Sequence, residues 1–88
     1  MTPALTPEQL LLIADQFCAT RRVQVRDFGA LVAAAAVPGA RISGIAVYPG
    51  PSAAGLALAE AVARLQPLTD ANEEFGAVCR EVYLRLPH

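Results

Sequence analysis

The chain lacks lysine and tryptophan, has one histidine and two cysteines, and only 6% of its 88 residues are aromatic. Without lysine, any mechanism that needs a lysine amine is excluded. His88 has no Cys or second His nearby in the sequence, so no zinc site is expected. Cys18 and Cys79 each fall within an apolar helical pattern and read as reduced, buried thiols rather than a disulfide. No run approaches the roughly 18 apolar residues of a membrane span. Between Glu8 and Asp15, Leu10–Ala14 is too short for a signal-peptide core, and no basic stretch precedes it. A cytoplasmic location is therefore expected. Seven Arg against eight acidic residues leave a net charge of -1, which argues against a general basic surface for nucleic acid.

What remains is apolar and rich in alanine. Hydrophobic residues make up 55% of the chain, far too many for a disordered tail. The length suits one domain, residues 1–88, with a thin stability margin. Alanine occupies 18 positions, which favours helix while supplying little area to bury. A mostly helical, all-α domain that completes its core with a partner is the expectation. Abundant Ala, Arg, Pro and Gly without Lys look like GC-rich coding and point to a bacterium.

Four helices and a flap can be placed. Thr6-Pro7-Glu8-Gln9 carries capping-box spacing with proline at the first helical position. Leu10, Ile13, Ala14 and Phe17 then share one face, and the helix fades near Thr20. Asp27 is suited to cap a second helix with Phe28, Leu31, Val32 and Ala35 on its apolar face, ended by Val37-Pro38-Gly39. Arg21, Arg22 and Arg26 lie between these helices as a solvated loop or an anion site. Ile42 to Tyr48 reads as a short β-hairpin flap or as a plain connector. Ser52 is expected to cap a third helix that runs to Pro67, with Leu56, Ala59 and Ala63 on one line and Leu58, Val62 and Leu65 on another. A last helix is expected from Asp70, with Phe75, Val78, Cys79, Val82 and Leu86 as its buried stripe. The expected core is Leu10, Ile13, Phe17, Leu31, Leu58, Val62, Phe75, Val78 and Val82.

One segment, residues 66–75, has a chemical signature: Gln66-Pro67-Leu68-Thr69-Asp70-Ala71-Asn72-Glu73-Glu74-Phe75. It is a loop that leads into a helix N-terminus, whose free N–H groups favour anions. Ala71 and Asn72 suit an anion or nucleotide site, and Asp70 reads as an N-cap. Glu73 and Glu74 favour the helix dipole by roughly 0.3–1 kcal/mol each. They also repel a phosphate, by roughly 3 kcal/mol per unit charge at ~5 Å and an effective dielectric of ~20. By chemistry alone this is a good helix start and a poor nucleotide site.

The same segment resembles the central motif of the Fic/Doc family, His-x-Phe-x-Asp-Ala/Gly-Asn-Lys/Gly-Arg, and its Asp70-Ala71-Asn72 is the form found in Doc (death-on-curing) toxins. Arg26-Asp27-Phe28-Gly29-Ala30-Leu31 resembles the family's RDxGLLESA helix start. Tyr48-Pro49 resembles the end of its flap, at about 42–48, and Ala53 to Leu65 the helix before the motif. The resemblance covers most of Leu5 to Leu86. It implies a small Fic/Doc-like helical domain, transfer of a phosphoryl or nucleotidyl group from Mg-ATP to a protein hydroxyl, and a role for Asp70, beside Ala71 and Asn72, in holding phosphate and as a Mg²⁺ ligand.

The departures bear on that chemistry. Gln66 stands where the family's general-base His is found, and loss of a positioned base typically costs ~10²–10⁴-fold. Glu74 replaces the phosphate-gripping Arg, and Glu73 the Lys or Gly before it. The chain also ends one helix after the motif, as a shortened and degenerate Doc-like protein would. The leading expectation is a member of a bacterial toxin–antitoxin pair, catalytically impaired and needing no cofactor. It would bind an antitoxin-like protein, or a second copy of itself, with Ile45, Val47 and Tyr48 of the flap as contacts. An active Mg-ATP-dependent transferase and a ligand-free structural homodimer are the alternatives.

Overall fold

The computed structural model describes residues 5–88. In chain order these form α1 (Pro7–Arg21), α2 (Phe28–Ala36), β1 (Arg41–Ile42), β2 (Ile45–Ala46), α3 (Pro51–Leu65) and α4 (Asn72–Leu84). The mostly helical architecture with one small hairpin is thus present.

Local chemistry accounts for the first two helix starts. The Thr6 hydroxyl accepts from the Gln9 N–H at 3.1 Å, and the Gln9 side chain accepts from the Thr6 N–H at 2.8 Å, the full capping box. An Asp27 carboxylate oxygen accepts from the Ala30 N–H at 3.2 Å. The other two starts differ from expectation. Gly50, not Ser52, is the N-cap of α3, because Pro51 already takes the first helical position. The N-cap of α4 is Ala71 in the left-handed region, and neither Asp70 nor any other side chain caps this helix. Asp70 instead accepts from the adjacent Ala71 N–H at 2.8 Å.

Ser43 and Gly44, with φ of 50° and 79°, form the two-residue turn of the hairpin. Left-handed geometry at both positions is the type I′ signature, which matches the twist of the flanking strands. The register pairs Arg41 with Ala46 and Ile42 with Ile45, and Arg41 Nη1 closes the turn on the Gly44 carbonyl at 2.9 Å. The flap is a hairpin rather than a plain connector.

α3 is the central helix, packed on α4 along its length and on α2, while α1 lies against α2 and α4. Small residues set the α3–α4 distance. A Cβ on Gly76 would come within 2.8 Å of the Ala59 carbonyl oxygen, and one on Gly55 would touch the Tyr83 and Leu84 side chains at 3.4 Å. Inside, Leu10, Leu31, Leu58, Val62, Leu68, Phe75 and Cys79 are sealed from solvent, and the Phe17 and Phe75 rings meet at 5.4 Å between centroids.

Several expected core positions move outward. Val78 is exposed, while Ile13, Val82 and Leu86 are only partly buried; the stripe that α4 buries is Phe75, Gly76, Cys79 and Tyr83. On α2 the large Phe28 and Val32 are exposed, with Gly29, Ala33 and Ala36, and the buried residues are Ala30, Leu31, Ala34 and Ala35. Leu56 of α3 is exposed while Ala59 and Ala63 on its line are partly buried, and Leu58 and Val62 lie in the core with Ala54, Ala57 and Ala61. Cys18 is half-buried and Cys79 buried, and both are free thiols.

Candidate functional site

Residues 66–75 lie where α3 gives way to α4, and the segment between α1 and α2 is laid against them. Val25 and Leu68 form an antiparallel bridge. The Pro67 carbonyl accepts from the Arg26 N–H at 2.7 Å and the Asp27 N–H at 3.1 Å, and the Thr69 N–H donates to the Gln24 carbonyl at 2.9 Å. Two of the three arginines considered above are enlisted in this junction. Arg26 Nη2 donates to the Gln66 carbonyl at 2.7 Å, and Arg21 Nη1 pairs with Glu74 Oε2 at 2.9 Å. Arg22 is the left-handed C-cap of α1 and is exposed.

The motif residues themselves serve the loop. Asn72 takes the Leu68 N–H on Oδ1 at 2.9 Å and returns Nδ2 to the Leu68 carbonyl at 3.1 Å, so its amide is held on both sides. Gln66 is the exposed, left-handed C-cap of α3 with φ of 52°. Asp70 is exposed, and among the described residues no group of three or more His, Cys, Asp and Glu is placed to hold a metal ion. Glu73 and Glu74 occupy the first turn of α4, where they favour the dipole and oppose an anion. Neither thiol is an activated one: burial pushes the Cys79 thiol up to about 12, and burial with the neighbouring Asp15 carboxylate raises Cys18 as well.

The flap residues sit at the other end of α3, a helix of 15 residues and so about 22 Å long. Ile42 and Ile45 are about 70% exposed and pair across the hairpin, with Val47 also exposed and Tyr48 half-buried. Beside them the hairpin, the α3 start and the α4 end line an open cleft of about 560 Å³. Its walls include Arg41, Tyr48, Gly50, Tyr83 and His88. Sequence reasoning missed this site because Tyr83 and Arg41 are far apart in the chain, and no local pattern marks them as neighbours. Among the described residues, no helix is long and apolar enough to cross a membrane.

Comparison with known proteins finds no matching family model, no matching curated protein and no matching solved structure.

Proposed function

We propose that this chain is a degenerate Doc-like protein of a bacterial toxin–antitoxin pair that works by holding another protein and does not transfer phosphoryl or nucleotidyl groups. The observation that carries the binding reading is the hairpin tip. Ile42 and Ile45 are opposed on two short strands and both largely in water, where their apolar side chains are unfavourable unless covered. Each strand of this two-stranded sheet also has an edge that no other strand pairs with among the described residues. An extended segment of an antitoxin-like partner would add a strand there and cover both isoleucines.

The loss of transfer chemistry is supported by the motif segment. Gln66 has no basic lone pair near neutral pH, Asn72 spends its amide on Leu68, and the first turn of α4 presents two carboxylates. Self-association is the second reading, favoured by the exposed Phe28 and Val32 of α2.

Co-expression with the product of the adjacent reading frame is the test. The expected result is a stable complex that the double variant Ile42→Thr/Ile45→Thr disrupts without loss of folding, and no labelling of any protein with labelled ATP. Labelling by the unaltered chain, or a complex indifferent to the double variant, would overturn the reading.

A further inference from the structure

The two faces of the hairpin differ in chemistry, and the difference selects a partner. We propose that the extended segment received at the hairpin adds along the outer edge of β1, with a carboxylate opposite Arg41 and a branched aliphatic residue opposite Ile42. This rests on the strand-addition reading of the hairpin and names the chemistry of the added strand.

The register fixes which side chains share a face. Ile42 pairs with Ile45, Arg41 with Ala46, and the Val47 N–H donates to the Ala40 carbonyl at 2.9 Å. Side chains alternate along each strand, so Ile42, Ile45 and Val47 stand on one face and Arg41 and Ala46 on the other. The cleft follows the same division: Arg41 and Ala46 are among its walls, and the three large aliphatic residues are not.

The same alternation fixes which backbone groups are free. Hydrogen-bonded and non-hydrogen-bonded pairs alternate along an antiparallel ladder. The bond from Val47 to Ala40 makes theirs a bonded pair, so Arg41 and Ala46 form the non-bonded one. Their N–H and C=O groups therefore point to the two outer edges. Of these, β1 is the more open, since both its residues are exposed while Ala46 of β2 is partly covered. No other strand pairs with β1 among the described residues.

An edge this short offers few main-chain bonds, so side chains must supply the selection. Directly opposed side chains are the unit of that selection, and opposite charges or two branched aliphatic groups are favoured pairs. Arg41 Nη1 is tethered to the Gly44 carbonyl at 2.9 Å, which leaves the other guanidinium donors for a partner. Among the described residues Arg41 takes part in neither ion pair, Arg21–Glu74 or Arg85–Glu81. A carboxylate on the added strand would meet an unneutralised cation. On the other face, Ile42 is 70% exposed and suits a valine or isoleucine across the edge.

Two short capped peptides that alternate valine with threonine are the probes, identical except for glutamate or lysine at one central threonine position. Each is titrated into the isotope-labelled chain while the backbone amide signals of Arg41 and Ile42 are followed. The glutamate peptide is expected to bind about threefold tighter than the lysine peptide, or more. The chain's net charge of -1 favours the lysine peptide, so general attraction cannot produce that order. Arg41→Gln is expected to erase the preference and Arg41→Glu to reverse it, and both should fold because the side chain is exposed. Equal binding of the two peptides by the unaltered chain, or a preference unchanged in folded Arg41→Gln, would overturn the proposal and leave strand addition standing. If neither peptide moves the Arg41 and Ile42 signals, strand addition fails and the proposal fails with it.

Discussion

Gly76 of α4 lies so close to the Ala59 carbonyl of α3 that a Cβ at position 76 would stand 2.8 Å from that oxygen. The obstacle is backbone, which cannot swing aside as a flexible side chain would. Gly76→Ala should therefore destabilise the fold although alanine is the better helix former by about 0.8–1 kcal/mol. Forcing the helices apart should outweigh that gain and leave a net loss of about 1–3 kcal/mol, measurable by urea denaturation.

Asn72 is a structural clamp on the segment before α4. Its replacement by Ala leaves the Leu68 N–H and carbonyl without their partner in a region that is almost sealed. A loss of about 1–3 kcal/mol is expected. Asn72→Asp retains the acceptor and not the donor, so its loss should be smaller. Denaturation of the three proteins side by side checks the order.

Cys79 ties stability to alkaline pH. Its thiol ionises at about 12 when folded and near 9.0 when free. Above pH ~9 the unfolded chain therefore binds fewer protons than the folded one, and stability falls as pH rises. The contribution is whole below pH 9.0 and is lost up to pH 12, at about 1.4 kcal/mol per pH unit. Cys79→Ala should flatten that part of the curve while lowering stability at neutral pH. Thiol titration of the folded protein should modify the half-buried Cys18 first.

Gln66→His alone should not produce a transferase. The imidazole would supply a base, yet Asn72 would remain bound to Leu68, and Glu73 and Glu74 would still repel phosphate. Transfer of label from ATP to protein is the measurement, and the expected signal is nil.

The isolated chain should not behave as a lone monomer. Phe28, Val32 and Leu56 are each more than 40% exposed, as are Ile42 and Ile45, which is a large apolar load for an 88-residue protein. Sedimentation at low micromolar concentration should show association, and the melting temperature should rise with concentration.

Features that depend on neighbours in sequence were legible from the chain. Thr6, Pro7 and Gln9 act within one turn, as does Asp27, and the Pro67 stop needs only the ring of that residue. The α4 start was not legible, because Asn72 reaches back to Leu68 and places Ala71 rather than Asp70 at the cap. Nor was the α4 stripe. Val78 and Tyr83 lie about 140° apart on the helical wheel, on opposite sides of the Phe75–Cys79 line, and which of them is buried depends on the close crossing at Gly76. The pairing of Val25 with Leu68 joins residues 43 apart, beyond any local pattern. For the candidate site, the hairpin was visible in Ile45 and Gly44, while the cleft beside it required the end of α4.

The hairpin is also the covalent passage between two helix pairs that pack on one another, α2 on α3 and α1 on α4. Phe17 meets Phe75, Arg21 meets Glu74 and Val25 meets Leu68, each from opposite sides of the Ser43–Gly44 turn. A cut at that turn severs one loop and leaves these contacts intact. The halves 1–43 and 44–88 should therefore find one another when expressed as separate polypeptides, each supplying what the other lacks to bury its apolar face. Reassembly would be bimolecular and its yield set by concentration, which makes this chain a natural candidate for fragment complementation.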